Sequence, residues 1–269
     1  MFPKYGINTF QAIVFNYFTA FSCGVLLFGN EWKDHSIHEA SWPIYALISG
    51  FLFISLFILM GLSSQKNGVA LTSIAGKMSM AVSLIFMIFI YREEVSLLKT
   101  GGIMLAFLGV FLVSFTKKGK DASDSIWMLV ILFIGSGLLD FVLNFVQKFH
   151  LKQLTPSLFS AFGFGIAGLI GLSVLLYQLI TKKSVFQFRN VLAGIALGIP
   201  NYFSIFLLML SYKTTGWADS TVLAIINVSV VLLSSITGFF AFKETVNSQK
   251  LIGLSCAVSA ITILYFANK

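Results

Sequence analysis

Charge is what this chain has least of. Only 10% of its 269 residues are Asp, Glu, Lys or Arg, against 57% hydrophobic, and the mean hydropathy is +0.91. A water-soluble domain of that length would have too little polar surface to stay solvated, so the composition excludes one and requires a bilayer. Cysteine is scarce as well: Cys23 and Cys256 both lie inside apolar runs, without CxxC spacing, and read as packing thiols. Like charges never run five or six together. The net charge of +8 is scattered over short turns, which argues against nucleic acid and for the positive flanks of membrane helices. No charged, apolar and small-residue leader precedes the first span, so no cleaved signal peptide is expected. There is no GxxxxGK[ST] loop for ATP, so any energy comes from a gradient or from exchange. His35, His38 and His150 are too dispersed for a metal site, and no metal or cofactor is expected. Intramembrane hydrolysis needs a nucleophile with its base or a metal cluster; neither pattern occurs, and the expectation is that this is no enzyme.

What the chain does have is apolar runs long enough to cross about 30 Å of hydrocarbon, roughly 20 helical residues each. They lie at 9–28, 43–63, 69–91, 97–116, 126–148, 157–180, 190–211, 219–242 and 249–267. One stretch occurs twice. Shifted by 151 positions, Ser64 to Phe115 falls on Thr215 to Phe266, with Glu93 on Glu244, Val95 on Val246, Lys99 on Lys250 and Gly102 on Gly253. Each copy is an apolar run, a charged turn carrying Glu-x-Val-[Ser/Asn]-x-x-Lys-x-x-Gly, and a second apolar run: a duplicated helical hairpin. Thr155 to Gly171 likewise lies over Asn8 to Gly24.

The register explains the odd number of spans. The second half holds five, the first only the last four of them, and the span beginning at Ile126 has no twin. The expectation is an all-α integral membrane protein, a polytopic bundle of two inverted five-helix repeats, with nine spans because the first helix is missing. The repeats are 1–116 and 126–269, joined by a polar linker at 117–125. Two tandem five-helix copies enter the membrane from opposite sides and are related by a pseudo-two-fold axis in its plane, which suits alternating access. Lys and Arg in alternate turns number ten on the side of Lys66, Lys182, Lys183 and Arg189, and seven on the other. The first set is therefore expected in the cytoplasm.

Two five-span halves, each with the charged turn around Glu93 or Glu244 and a last helix opening on Lys-x-x-Gly, resemble the EamA branch of the drug/metabolite transporter superfamily. The resemblance implies a ten-helix secondary transporter with a central cavity, typically an exporter of small metabolites or drugs, in a bacterial cytoplasmic membrane. Its partners would be the lipid bilayer and a small-molecule substrate, with proton coupling and a homodimer as open possibilities.

The chemistry must come from polar groups at membrane depth. Lys77 sits near the middle of its span, where an ammonium costs about 3 kcal/mol on insertion scales, so it should face a cavity or a partner. Asp140 is equally deep, and Asp140, Asn144 and Gln147 fall at i, i+4 and i+7 on one helix face. Lys77 and Asp140 are each other's most economical partner. They read either as a gate, substrate anchor or proton carrier, or as a buried pair that fixes packing. In the other copy Lys77 is replaced by the apolar Val228, and Gly76 by Asn227. Pro200 is the one proline deep in a span; it is a candidate hinge, with Asn201, Tyr202 and Ser204 beside it. Asn16, Thr19 and Cys23 share a face, as do Asn227 and Ser234; interhelical hydrogen bonding and substrate contact both fit such groups. The glycines at 163, 165, 168, 171, 194 and 198 read as close helix contacts, and Glu93 and Glu244 as solvated or interfacial ion pairs.

The candidate substrate-binding set is thus Lys77, Asp140, Asn144, Asn201, Tyr202, Asn227 and Asn16. With Lys77 as anchor, the protein exports an amino acid or a similar anionic or zwitterionic metabolite. With Asp140 as anchor it is a multidrug cation/proton antiporter. A non-transporting membrane scaffold or partner protein is the third reading.

Overall fold

The computed structural model describes residues 6–30, 42–67, 69–114, 126–151, 155–242 and 248–267. The linker expected at 117–125, Glu244, His35 and His38 lie outside them. Among the described residues the regular elements are all helices: α1 (Thr9–Phe28), α2 (Pro43–Lys66), α3 (Val69–Met78), α4 (Met80–Tyr91), α5 (Leu97–Ser114), α6 (Ile126–Phe149), α7 (Pro156–Ile180), α8 (Phe188–Thr214), α9 (Asp219–Phe242) and α10 (Ser248–Ala267). Local chemistry sets several ends. The Asn8 side chain accepts from the Gln11 amide at the start of α1, Pro156 occupies the first turn of α7, and Arg92 closes α4 in the left-handed region at φ 50°.

Among the described residues seven apolar helical stretches are long enough to cross a membrane, with α3 and α4 together supplying the one at Thr72–Tyr91. The spans expected at 97–116 and 249–267 are present as α5 and α10, but their apolar parts are shorter, Leu97–Leu112 and Leu251–Ala267. At 1.5 Å per residue these reach roughly 24–26 Å, a little under the hydrocarbon thickness.

Burial is inverted relative to a protein in water. Leu97 is 93% exposed, Leu26 83% and Phe89 77%, while Gln11, Asn16, Ser83, Asn144 and Asn190 are fully buried. Apolar side chains outward and polar ones inward is the arrangement a lipid solvent selects.

The chain forms two compact units, each drawing on both ends of the sequence. The first comprises 1–61 and 142–214. In it α1 packs along α7 and α8. Small residues allow the approach: a Cβ on Gly198 would come within 2.6 Å of Asn16 O, and one on Gly171 within 2.9 Å of the Val14 side chain. The helix-contact reading of these glycines holds. Tyr17 ties α1 to α2 by donating to Phe53 O at 2.6 Å, and stacks on Phe164 of α7.

The second unit comprises 62–141 and 215–269. Its centre is the pair α5 and α10, with α9 packed on α4, α5 and α10. Here Gly109 lets the α10 backbone come close, since a Cβ would lie 2.9 Å from Ala257 N. In both units, helices that the 151-residue shift and the Asn8/Thr155 overlay relate in sequence lie side by side: α1 with α7, α4 with α9, α5 with α10.

Candidate substrate site

The span at 72–91 is interrupted at Ser79, between α3 and α4. The Ser79 hydroxyl donates to Gly76 O at 2.7 Å, and the Val82 amide closes a tight turn on Ser79 O at 2.9 Å. The interruption is one residue long: Ser79 keeps right-handed helical backbone at φ −56° and ψ −23°, and its amide bonds to Ala75 O at 3.1 Å. Sequence alone drew attention to Pro200 as a candidate hinge, and α8 runs on through Pro200 to Thr214. A chain interior in which neighbouring helices and side chains supply polar partners tolerates proline without unwinding. Beside it the Ser204 hydroxyl takes up Asn201 O at 2.8 Å.

Helix α6 crosses the Ser79 break at Gly137. A Cβ there would sit 2.5 Å from Ser79 O and 2.6 Å from Val82 Cβ, so only glycine permits the approach. Gly137 O in turn accepts from the Ser83 hydroxyl at 2.8 Å, and Phe141 packs its ring against Phe86, centroids 5.3 Å apart. Asp140 follows Gly137 by three residues and Lys77 precedes Ser79 by two. The crossing therefore brings the two ionisable groups into reach of each other's charge. They stop short of a contact pair: no nitrogen–oxygen distance between them is within 4.0 Å. Both side chains are half-buried, and among the described residues neither has a hydrogen-bond partner.

One turn further along α6, Asn144 is fully buried with neither amide atom partnered, and Gln147 Oε1 is likewise unpartnered. Such atoms cost roughly 1–3 kcal/mol each in a protein interior and call for a ligand, water or another conformation.

The remaining candidates divide. In the first unit Asn201 Nδ2 donates to Asn16 Oδ1 at 3.3 Å, leaving Asn16 Nδ2 buried and unpartnered. Tyr202 is fully buried; it donates to Ser157 O at 3.3 Å and stacks on Phe206. In the second unit Asn227 Nδ2 bonds to Leu223 O of its own helix at 3.1 Å. Ser83 and Gly137 are the residues that sequence reasoning passed over, and a Gly-Lys-Met-Ser run inside an apolar span was a visible signal for the interruption.

At the charged turn after α4, Glu93 pairs with Lys99 at 2.8 Å, with side chains only 8% and 5% exposed. The pair is buried rather than solvated. Glu93 also accepts from the Ser220 amide at 3.3 Å and from the Ser220 hydroxyl, at the start of α9. Burial pushes the Glu93 carboxyl up, but the bonds from Lys99 and Ser220 and the Lys99 charge outweigh it and hold it below the ordinary carboxylate range.

Membrane-length apolar helices with buried polar side chains make this a polytopic membrane protein. Residues 1–115 match the model of the EamA-like transporter family. A protein of Haemophilus influenzae, described as uncharacterized, is 28% identical over 267 residues, covering 96% of this chain and 89% of that protein. A crystal structure superimposes with a TM-score of 0.75 over 97% of this chain and 90% of its own at 11% identity, a likeness of fold alone.

Proposed function

We propose that this protein is a secondary transporter that exports a small zwitterionic or anionic metabolite, of amino-acid type, across a bacterial cytoplasmic membrane by alternating access. The observation that carries this reading is the pair Lys77 and Asp140, near enough to feel each other's charge yet not closed on one another. An ammonium and a carboxylate held apart complement a ligand that itself bears a carboxylate and an amine. When empty, each partly offsets the other's unfavourable placement inside a span. Alternating access is supported by the side-by-side packing of sequence-related helices in each unit, the arrangement expected of two inverted five-helix repeats at 1–116 and 126–269.

A second reading, cation/proton antiport, is favoured by Asp140 alone, a half-buried carboxylate with no hydrogen-bond donor among the described residues. Flux in reconstituted vesicles separates the two. Wild type, Lys77→Ala and Asp140→Asn are compared at matched protein content, using a mixture of labelled zwitterionic amino acids and, separately, a lipophilic cation under a proton gradient. Counterflow of an amino acid by the wild type, lost at least about tenfold in both variants, is the expected result, since each removed charge pairing is worth about 1.4 kcal/mol or more. Cation uptake that survives in Lys77→Ala and vanishes in Asp140→Asn would establish the antiport reading instead. No solute moved by any of the three would leave the scaffold reading standing.

A further inference from the structure

Lys77 and Asp140 stand near each other inside the second unit and yet do not touch. Opposite charges shielded from water attract strongly, and a lysine stem is long enough to follow a carboxylate, so an open pair needs something that holds the backbones beneath it apart. Neither side chain is tethered by a hydrogen bond of its own among the described residues. The separation is therefore a property of how α3 and α4 meet α6.

That meeting has a direction. Gly137 of α6 lies against Ser79 O and Val82, and its carbonyl accepts from Ser83. Four residues on, the Phe141 ring packs on Phe86 at 5.3 Å and on Tyr91 at 6.1 Å between centroids. Later residues of α4 meet later residues of α6, so the two helices run past each other in the same sense. Lys77 lies before this contact and Asp140 beyond it. At about 1.5 Å per residue, Asp140 stands roughly 4–5 Å past Gly137 along α6, while Lys77 stands roughly 3 Å short of Ser79. The contact of Ser83 with Gly137 thus sits between the two charges, and a slip of α6 backwards by one turn would bring Asp140 within the lysine's reach.

Helical serines and threonines in this protein commonly turn back on their own helix: Thr19 onto Phe15 O, Ser160 onto Pro156 O, Ser173 onto Leu169 O and Ser235 onto Val231 O, all at 2.8–2.9 Å. Ser83 crosses instead. Fully buried, it donates to Gly137 O of the neighbouring helix at 2.8 Å. A carbonyl inside a continuous helix already serves that helix's own ladder, so this second bond satisfies no orphan group on α6 and its effect is one of position. Gly137 offers no side chain to key the helices together, and the stacking of Phe141 on Phe86 is an apolar contact that tolerates sliding; the hydroxyl is directional. We infer that Ser83 is a positioning residue: its bond to Gly137 O holds α6 in register with α4 and so keeps Lys77 and Asp140 open to a zwitterionic solute. The first half of this stands on the contacts above, and the second rests on the transporter reading of the same pair. Without the bond α6 slips, the charges close on each other, and a solute has to break an ion pair before it can bind.

Cross-linking at zero length reads the gap. Dicyclohexylcarbodiimide, which enters membranes, activates a carboxyl that a touching amine converts to an amide, so the yield of a Lys77–Asp140 linked peptide in mass spectra measures how often the pair is in contact. Full-length wild type, Ser83→Ala and Ser83→Thr are treated in lipid nanodiscs, with the contact pair Glu93 and Lys99 of the same unit as internal standard. Ser83→Ala should give at least about threefold more Lys77–Asp140 product than the wild type at an unchanged Glu93–Lys99 yield, the factor that one interhelical hydrogen bond is worth in a membrane. Ser83→Thr keeps the hydroxyl and should give the wild-type yield. With labelled zwitterionic amino acids in vesicles, Ser83→Ala should raise KM about threefold and leave maximal flux within about twofold of the wild type, the pattern of weakened binding rather than of a damaged protein. Equal Lys77–Asp140 yields in wild type and Ser83→Ala overturn the proposal. A Ser83→Thr yield like that of Ser83→Ala overturns it too, by assigning the effect to volume, as does a fall in the Glu93–Lys99 yield, which makes the hydroxyl a prop for the fold. The expected cross-links with no amino-acid flux in any of the proteins would uphold the role of Ser83 in setting the register and remove the transporter reading.

Discussion

Glu93 and Ser220 lie 127 positions apart in the chain, and the carboxylate of one meets both the backbone amide and the hydroxyl of the other. Glu93 does in trans what a capping residue does locally, placing a negative charge on the unpaired amides that open α9. Lys99 holds that carboxylate from the opposite side at 2.8 Å.

Breaking this arrangement by Glu93→Gln leaves the Lys99 ammonium buried without its counter-charge. A drop of about 3 kcal/mol in stability is expected, read as a lower midpoint of thermal unfolding in detergent. The double variant Glu93→Gln/Lys99→Met should recover most of the loss, since the stranded charge goes with its partner. A double variant no better than the single one would place the effect in Ser220 alone.

The same pair sets an acid limit. Because the folded Glu93 carboxyl lies below its unfolded value of about 4.3, the native state binds fewer protons, and this contribution is fully present above that value. It is lost as pH falls through the lowered folded value. Wild-type unfolding temperature should therefore decline on acidification below about pH 4, and the decline should be shallower in Glu93→Gln. Parallel curves for the two proteins would contradict the assignment.

Gly137→Ala should separate the α6 crossing from general helix propensity. The added methyl meets Ser79 O and Val82, so destabilisation of about 1–3 kcal/mol and a loss of solute flux of at least tenfold are expected. At Gly101 of α5 nothing lies within 4 Å of a Cβ. There the same substitution should raise stability by roughly 0.5–1 kcal/mol and leave flux unchanged. Equal effects at the two sites would remove the crossing from the account of the site.

Asn144→Leu tests whether the unpartnered amide serves transport. Replacing two buried, unbonded polar atoms by an apolar group of similar volume should stabilise the protein by about 1–3 kcal/mol, measured by thermal unfolding, while vesicle flux falls. Flux kept at the wild-type level would mean that no solute uses this amide.

Much of this architecture was legible in the residues because bilayer helices announce themselves by length and hydropathy. The duplicated hairpin also related α4 to α9 and α5 to α10 as copies in the sequence, while their packing against each other is seen only in the fold. Lys77 and Asp140 were legible for a related reason, since a charge in the middle of an apolar run has few innocent explanations. The interruption at Ser79 was harder to see. Serine and glycine are common in membrane helices, and only the close passage of Gly137 past Ser79 O gives the break its meaning. At Pro200 the helix continues, because proline's missing donor is a local property while helix continuity is decided by what surrounds it. Buried satisfaction was least readable of all: nothing in the identities of Gln11 and Asn190 says that they bond to each other across 179 positions.

The pairing of α5 with α10 carries a further consequence, in time rather than in space. Gln249 reaches Leu112 O across 137 residues of chain. At about 5–20 residues per second of synthesis, α5 waits roughly 7–27 s in the membrane before its mate leaves the ribosome. Through that interval the notch at Gly102 and Gly109 is open to any neighbouring helix with a smooth face. The biogenesis of this protein is therefore a problem of holding one helix available until the last one arrives.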